Sequence, residues 1–337
     1  MAHLALAVDV MSGDFGPRVL IPALIRFLTS YPEFRAYAVG QQNVMEPFLK
    51  QLKPDLLARI TLVHALDVVA MDEKPAQVLR SKKQSSLSVA IDLVAEGKAN
   101  AIVSAGNTGA LMALAMHKLK RIEHINRPAI CGLLPTLSKH SYLLDMGANV
   151  DLSASELVQF AKMAEVLAKT VDGAKRPSVA LLNIGEEAIK GNNQVKEADA
   201  LLSECKQQSG MNYIGYVEAH KLYSGAADII VCDGFVGNIA LKASEGVASY
   251  ILEKLRLEFK NDWLFKISSL FAAPPFLQFK HKVDPRRYNG AILLGLNGIV
   301  IKSHGHADEM AFFHALKHAK NMLNHNLVAA LSELQAQ

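Results

Sequence analysis

The stretch Asn100-Ala-Ile-Val-Ser-Ala-Gly-Asn-Thr-Gly-Ala-Leu-Met112 decides how this chain is read. A short apolar run at 101–103 breaks into Ser104-Ala105-Gly106-Asn107-Thr108-Gly109 and then resumes as an Ala/Leu/Met segment with helical spacing. Where a buried parallel strand ends and a helix begins, free backbone N–H groups and the positive end of the helix dipole point at one spot, and small residues let an anion approach them. Ser104, Gly106, Asn107, Thr108 and Gly109 are therefore candidate anion-binding residues. The same Gly-x-x-Gly spacing also serves ordinary tight turns.

Working outward, apolar runs of strand length recur at 4–8, 37–39, 60–63, 142–144, 179–182, 213–217 and 229–231, and helical patterns lie at 19–28, 88–96, 110–119, 155–170, 194–207 and 238–257. Strands alternating with helices predict crossover units, hence an α/β fold: a doubly wound, mostly parallel sheet with helices on both faces in three layers, all in one domain over 1–337. Ligands of such sheets sit beyond the carboxyl ends of the strands. Five runs end in loops that combine Gly, Asn and Asp, at 9–17, 104–109, 145–149, 183–191 and 232–238. One such loop is turn chemistry; five predict a shared polar cleft along one edge of the sheet.

Composition narrows the classes. The 337 residues are 50% apolar and 20% charged, with a formal charge of +4, so no overall nucleic-acid field is expected. Cys131, Cys205 and Cys232 are odd in number, far apart and without Cys-x-x-Cys spacing, which fits a reducing cytoplasm and neither a disulfide framework nor structural zinc. The first ten residues pass straight into a strand pattern, so no signal peptide is expected, and no apolar run reaches the ~20 residues of a membrane-spanning helix. No Gly-x-Gly, Gly-Lys-Ser/Thr, His-Glu-x-x-His or Gly-x-Ser-x-Gly occurs, which removes the common dinucleotide, P-loop, zincin and serine-hydrolase signatures. His304, His306 and Asp308 have no further ligand spacing, so neither a metal nor a cofactor is expected.

One segment departs from the alternation. Between Lys254 and Lys282 the chain places Phe259, Trp263, Phe265, Phe271, Phe276 and Phe279 among six Lys/Arg and two acids. Phe259, Trp263, Ile267 and Leu270 keep helical three- and four-residue spacing, and Pro274-Pro275 ends that helix, so 250–285 is expected to form a protruding amphipathic helical hairpin. Bulky apolar residues flanked by lysines suit a membrane interface, with Phe259, Trp263, Ile267, Leu270 and Phe271 as the contact. A dimer interface or a core helix would use the same pattern.

The chain resembles the bacterial phosphate acyltransferase family, also called acyl-ACP:phosphate acyltransferase or PlsX, nearly end to end. The resemblance rests on Asp9-Val-Met-Ser-Gly-Asp-Phe-Gly-Pro17, Met71-Asp-Glu-Lys-Pro75, the 104–112 stretch, Leu144-Asp-Met-Gly-Ala-Asn149, Leu181-Leu-Asn-Ile-Gly-Glu-Glu187 with Lys190-Gly191, Asp233-Gly-Phe-Val-Gly-Asn238, and Gly290-Ala-Ile-Leu-Leu-Gly-Leu-Asn-Gly298 leading to Lys302-Ser-His-Gly305. Val10-Met11-Ser12 stands where the family usually has Ala-Met-Gly, and Asn289-Gly290 where Gly-Gly is common; neither change removes a charged or amide group.

The resemblance implies transfer of a long-chain acyl group from acyl carrier protein to inorganic phosphate, giving the acyl phosphate used to acylate glycerol 3-phosphate. It also implies a homodimer in the cytoplasm, bound peripherally to the cytoplasmic membrane, with the downstream glycerol-3-phosphate acyltransferase as a further partner. On this reading Lys190, Asn238 and Asn183 are the catalytic candidates: Lys190 with the 104–109 amides to hold phosphate, either asparagine to stabilise the thioester oxygen, with Asp233 and His304 in the substrate site. Attack is expected to be direct, because the cysteines have no sequence-local activating partner. The alternatives are a phosphate acetyltransferase-like enzyme using acyl-CoA, a nicotinamide-dependent decarboxylating dehydrogenase, and a non-catalytic membrane scaffold.

Overall fold

Apolar runs with no polar alternation are stable only where both faces of a sheet are covered. All eight expected runs are strands in the computed structural model, which describes residues 4–261 and 284–334. They are β1 (Leu4–Asp9), β2 (Phe34–Gly40), β3 (Ile60–His64), β4 (Ala101–Ser104), β6 (His140–Leu144), β7 (Ser178–Asn183), β8 (Asn212–Glu218) and β9 (Ile229–Val231). Three more complete the sheet: β5 (Ala129–Pro135), β10 (Ala291–Leu294) and β11 (Ile299–Lys302). These contain or adjoin Gly and Pro, residues that disguise a strand in sequence.

The described helices are α1 (Pro17–Ser30), α2 (Gln42–Leu49), α3 (Pro54–Leu57), α4 (Pro75–Ser81), α5 (Ser86–Ala95), α6 (Thr108–Lys118), α7 (Ala154–Val171), α8 (Asn193–Gln208), α9 (Gly234–Asn261), α10 (Glu309–Asn324) and α11 (Leu327–Ser332). Short polar side chains start several of them. Asn107, Ser153, Asn192 and Asp308 each accept a first-turn amide of α6, α7, α8 and α10, and Ser153 forms a full capping box with Glu156.

The strands lie in the order β3-β2-β1-β4-β11-β10-β5-β6-β9-β7-β8. Within β3 to β11 and within β6 to β8 every pair is parallel, but β10 is antiparallel to β11 and β5, and β5 is antiparallel to β6. The sheet therefore consists of two parallel halves running in opposite directions. This corrects the expectation of five loops on one edge, because β1, β4 and β11 point one way and β6, β7 and β9 the other.

The register nevertheless brings the two sets together. Ser104 pairs with Lys302, Lys302 with Ala291, and one residue further on Ile292 pairs with Cys131, Cys131 with Leu144 and Leu144 with Val231. The halves are staggered, so the ends of β4, β6 and β9 meet within about one residue, ~3.3 Å, of the same height on the sheet.

One face is covered across its whole width by α1, α7, α8, α10 and α11, around Phe27, Phe160 and Phe312. The other face carries two separate clusters. α4, α5 and α6 cover Ala7, Val39, Ile102, Leu293 and Val300, while Ala240 and Leu241 of α9 pack against Leu143, Ala180, Leu182 and Ile230. Between α6 and α9 the sheet is covered mainly by Met146, which packs against both clusters. α9 runs to Asn261; the side chain of Phe259 and the expected contact residues Trp263, Ile267, Leu270 and Phe271 lie outside the described residues.

Candidate active site

At the end of β4 the loop is held from below. The Ser104 hydroxyl donates to Asp9 Oδ2 at 2.8 Å and accepts the Gly106 amide at 3.1 Å, while Ser12 Oγ accepts the Ala105 amide at 3.0 Å. These two loop amides are thus satisfied internally. Those still open are the first-turn amides of α6, from Thr108 and Gly109, which have no carbonyl to reach inside the helix. Asn107 caps α6 with Oδ1 and donates through Nδ2 to the carbonyls of Met71 and Glu73, both at 2.9 Å, which ties Met71-Asp-Glu-Lys-Pro75 to the loop. Asp9 is 1% exposed and its Oδ1 has no partner among the described residues. Burial pushes its carboxyl up, against the hydroxyls of Ser86 and Ser104.

β11 ends beside this loop. Gly305 accepts the Asp14 amide at 3.0 Å, Asp14 pairs with His306, and Asn289 Oδ1 accepts the His304 amide at 2.9 Å.

The opposing half is built differently. Asp145, fully buried, accepts the amides of Ile130, Gly147, Ala148 and Asn149 and the Asn149 side chain, all within 3.2 Å. Burial pushes its carboxyl up and these donors oppose the shift. It is the anchor of its loop.

Asp233 accepts the Val236 amide at 2.8 Å, so α9 begins at Gly234, one turn before the expected start. That frees the partly buried Asn238 from capping and places its amide against Gly147. At the end of β7, Asn183 Nδ2 donates to the carbonyls of Gly185 and Lys190 at 3.1 and 3.3 Å, which folds the loop so that Lys190 is exposed off any helix.

Asn183, Asp233 and Asn238 thus come together on adjacent strand ends with Lys190 at their rim, while Ser104 to Gly109 and His304 form a second group on the other half. From β4 to β6 is four strand spacings, about 19 Å. α9 links the groups, because Glu245 Oε2 lies 3.9 Å from His304 Nε2. Asn238 is seven residues before Glu245, about 10 Å along the helix. The result is a strip of sheet with a polar group at each end and Ala291, Gly132 and Met146 between them.

Sequence reasoning missed Glu245 and the place of Lys302 next to Ser104; these depend on β11 lying beside β4. Cys131 and Cys232 are buried, with their thiols pushed up by that burial. No group of acids, cysteines and histidines suited to a metal occurs among the described residues.

Comparison with known proteins adds identity to this geometry. The family model described as fatty acid synthesis protein matches residues 4–330. The phosphate acyltransferase of Legionella pneumophila strain Paris is 49% identical over 328 residues, covering 97% of this chain and 95% of the relative. That of Alcanivorax borkumensis is 47% identical over 337 residues, covering 100% and 99%.

Among solved structures, a phosphotransacetylase from Streptococcus pyogenes aligns with a TM-score of 0.61 at 16% identity, covering 96% of this chain and 94% of that one. A 4-hydroxythreonine-4-phosphate dehydrogenase from Klebsiella pneumoniae aligns at 0.52 and 16% identity, covering 96% and 98%. These two share the α/β fold. With relatives nearly half identical along almost all of its length, the chain belongs to the phosphate acyltransferase family and is an acyltransferase.

Proposed function

We propose that this chain transfers a long-chain acyl group from acyl carrier protein to inorganic phosphate, releasing acyl phosphate for phospholipid synthesis. The observation that carries this reading is membership, along nearly the whole chain, of a phosphate acyltransferase family.

In the proposed mechanism a phosphate oxygen attacks the thioester carbon, the carbon–sulfur bond breaks, and the pantetheine thiolate leaves and takes a proton from water or His304. Phosphate is a poor nucleophile mainly because it is well hydrated, so the site must replace its water with fixed donors. Lys190 or the first turn of α6, which stand too far apart to share one anion, supplies the positive charge; Asp233 and Asn107 hold the helix starts; and Asn238 donates to the oxygen that gains charge, since both amide N–H groups of Asn183 hold its own loop. The high thiol pKa values of Cys131 and Cys232 support direct attack without an acyl-enzyme. The reading extends to a homodimer in the cytoplasm that docks on the membrane; exposed Val247, Tyr250, Ile251 and Leu257 on α9, leading towards the lysine-flanked aromatics, support it.

The test is purified chain with palmitoyl carrier protein and phosphate, following acyl phosphate and free thiol, with palmitoyl-CoA as the competing donor. Acyl phosphate is expected from the carrier protein in preference to the CoA thioester. Lys190→Ala and Asn238→Ala are each expected to lower kcat/KM by roughly a hundredfold. Absence of acyl phosphate overturns the reading, and a trapped acyl-enzyme overturns direct attack.

A further inference from the structure

Lys302, the last residue of β11, pairs with Ser104 on β4 and with Ala291 on β10. Residues at one height on neighbouring strands share a face, and Val300, two residues earlier, belongs to the cluster under α6. The Lys302 side chain therefore leaves the sheet on the same face as Ser104, at the head of the strip between α6 and α9 that Met146 covers. It is partly buried, and its ammonium donates to the Ser303 carbonyl at 2.5 Å.

No salt bridge is formed by Lys302 among the described residues. The acids around it are otherwise engaged: Asp14 pairs with His306, Glu245 faces His304, and Asp9 accepts from Ser104. An uncompensated ammonium withdrawn from water is costly unless a ligand supplies the counter-charge. Burial pushes the amine down to about 8 from an ordinary 10.5, and only the field of Asp14 acts in the opposite sense. One strand away lies the N-terminus of α6, with its open Thr108 and Gly109 amides.

We propose that Lys302 is a phosphate-binding residue of the acyl transfer, and that its ammonium and the first turn of α6 together hold the acceptor phosphate at the β4–β11 end of the strip. This inference rests on the proposed reaction and assigns its anion to one of the two polar ends. The thioester carbon must then reach this same end for the phosphate oxygen to attack it, and Lys190, five strand spacings or about 24 Å away along the sheet, lies towards the carrier-protein end of the pantetheine arm.

The test compares Lys302→Met and Lys302→Arg with wild type by steady-state kinetics and by thermal melting with and without inorganic phosphate. Methionine has nearly the same shape and removes an uncompensated charge. Lys302→Met is therefore expected to melt no lower than wild type without phosphate, to lose the phosphate-induced rise in Tm, and to raise KM for phosphate at least about tenfold. Its KM for acyl carrier protein is expected to hold, and Lys302→Arg to keep the phosphate response. A Lys302→Met variant that matches wild type in both phosphate KM and phosphate-induced Tm shift overturns the inference, as does one that fails to fold. A wild-type enzyme that makes no acyl phosphate overturns the reaction instead, while the melting comparison still reports on phosphate binding.

Discussion

At the residue scale, similar side chains take opposite roles according to what surrounds them. Asp145 is a buried carboxylate with five N–H donors and acts as scaffold, whereas Asp9 is equally buried but leaves one oxygen unpartnered. Both stand at strand ends. Donor counts separate them: four of the donors to Asp145 come from its own loop and one from Ile130 on β5, whereas Asp9 meets Ser104 on β4.

His318 on α10 makes the same point for stability. It is 7% exposed, its Nδ1 meets the Gly290 carbonyl, and its Nε2 has no partner among the described residues. Burial, with a smaller push from His140, lowers its pKa from 6.5 to about 4. Its folded pKa lies below its unfolded one, so between pH 6.5 and 4 the unfolded chain takes up a proton that the folded chain resists. Stability is then lost as pH falls through that window, by about 3 kcal/mol from this group. His318→Gln is expected to flatten that acid limb in urea titrations from pH 7 to pH 4, and an unchanged limb would refute the assignment.

At the element scale, α9 carries the most consequence. Its expected start at 238 was one turn late, because Asp233 caps a helix that already begins at Gly234. Two glycines permit that start: a Cβ on Gly234 would stand 2.7 Å from the Asn149 carbonyl, and one on Gly237 would run into the Asp145 carbonyl. Gly237→Ala is expected to cost roughly 2 kcal/mol of stability and to displace Asn238, with activity falling further than stability. Gly246→Ala is the control, since no described residue lies within 4 Å of its would-be Cβ. There a gain of up to about 1 kcal/mol is expected from helix propensity. Equal effects at the two sites, read by denaturant melts and acyl-transfer assays, would contradict this account of α9 docking.

At the scale of the whole molecule, the net charge of +4 is too small for a general attraction to acidic surfaces, so any membrane contact must be local. No helix among the described residues is long and apolar enough to cross a membrane. The full chain is expected to float with vesicles containing an anionic phospholipid, and Trp263→Asp to stay behind while acyl transfer in solution persists. Flotation of Trp263→Asp equal to wild type would overturn the membrane contact.

The sequence by itself determined eight of the described strands, six of the helices between them, the polar loops at their ends and the family. Each of these is local: apolar periodicity says which face is buried, and a cap or a motif lies within a few residues. Tertiary structure alone decided the reversal between the half-sheets, which rests on the antiparallel pairing of β10 and β5 between β11 and β6. It also decided which residues are neighbours: Lys302 reaches Ser104 and Glu245 reaches His304 only after β11 is inserted beside β4 and α9 has crossed the sheet. Strand pairing and direction depend on the whole chain's packing, so the 104–109 loop was a candidate anion site in sequence, but the partly buried cation beside it came from a strand nearly two hundred residues away.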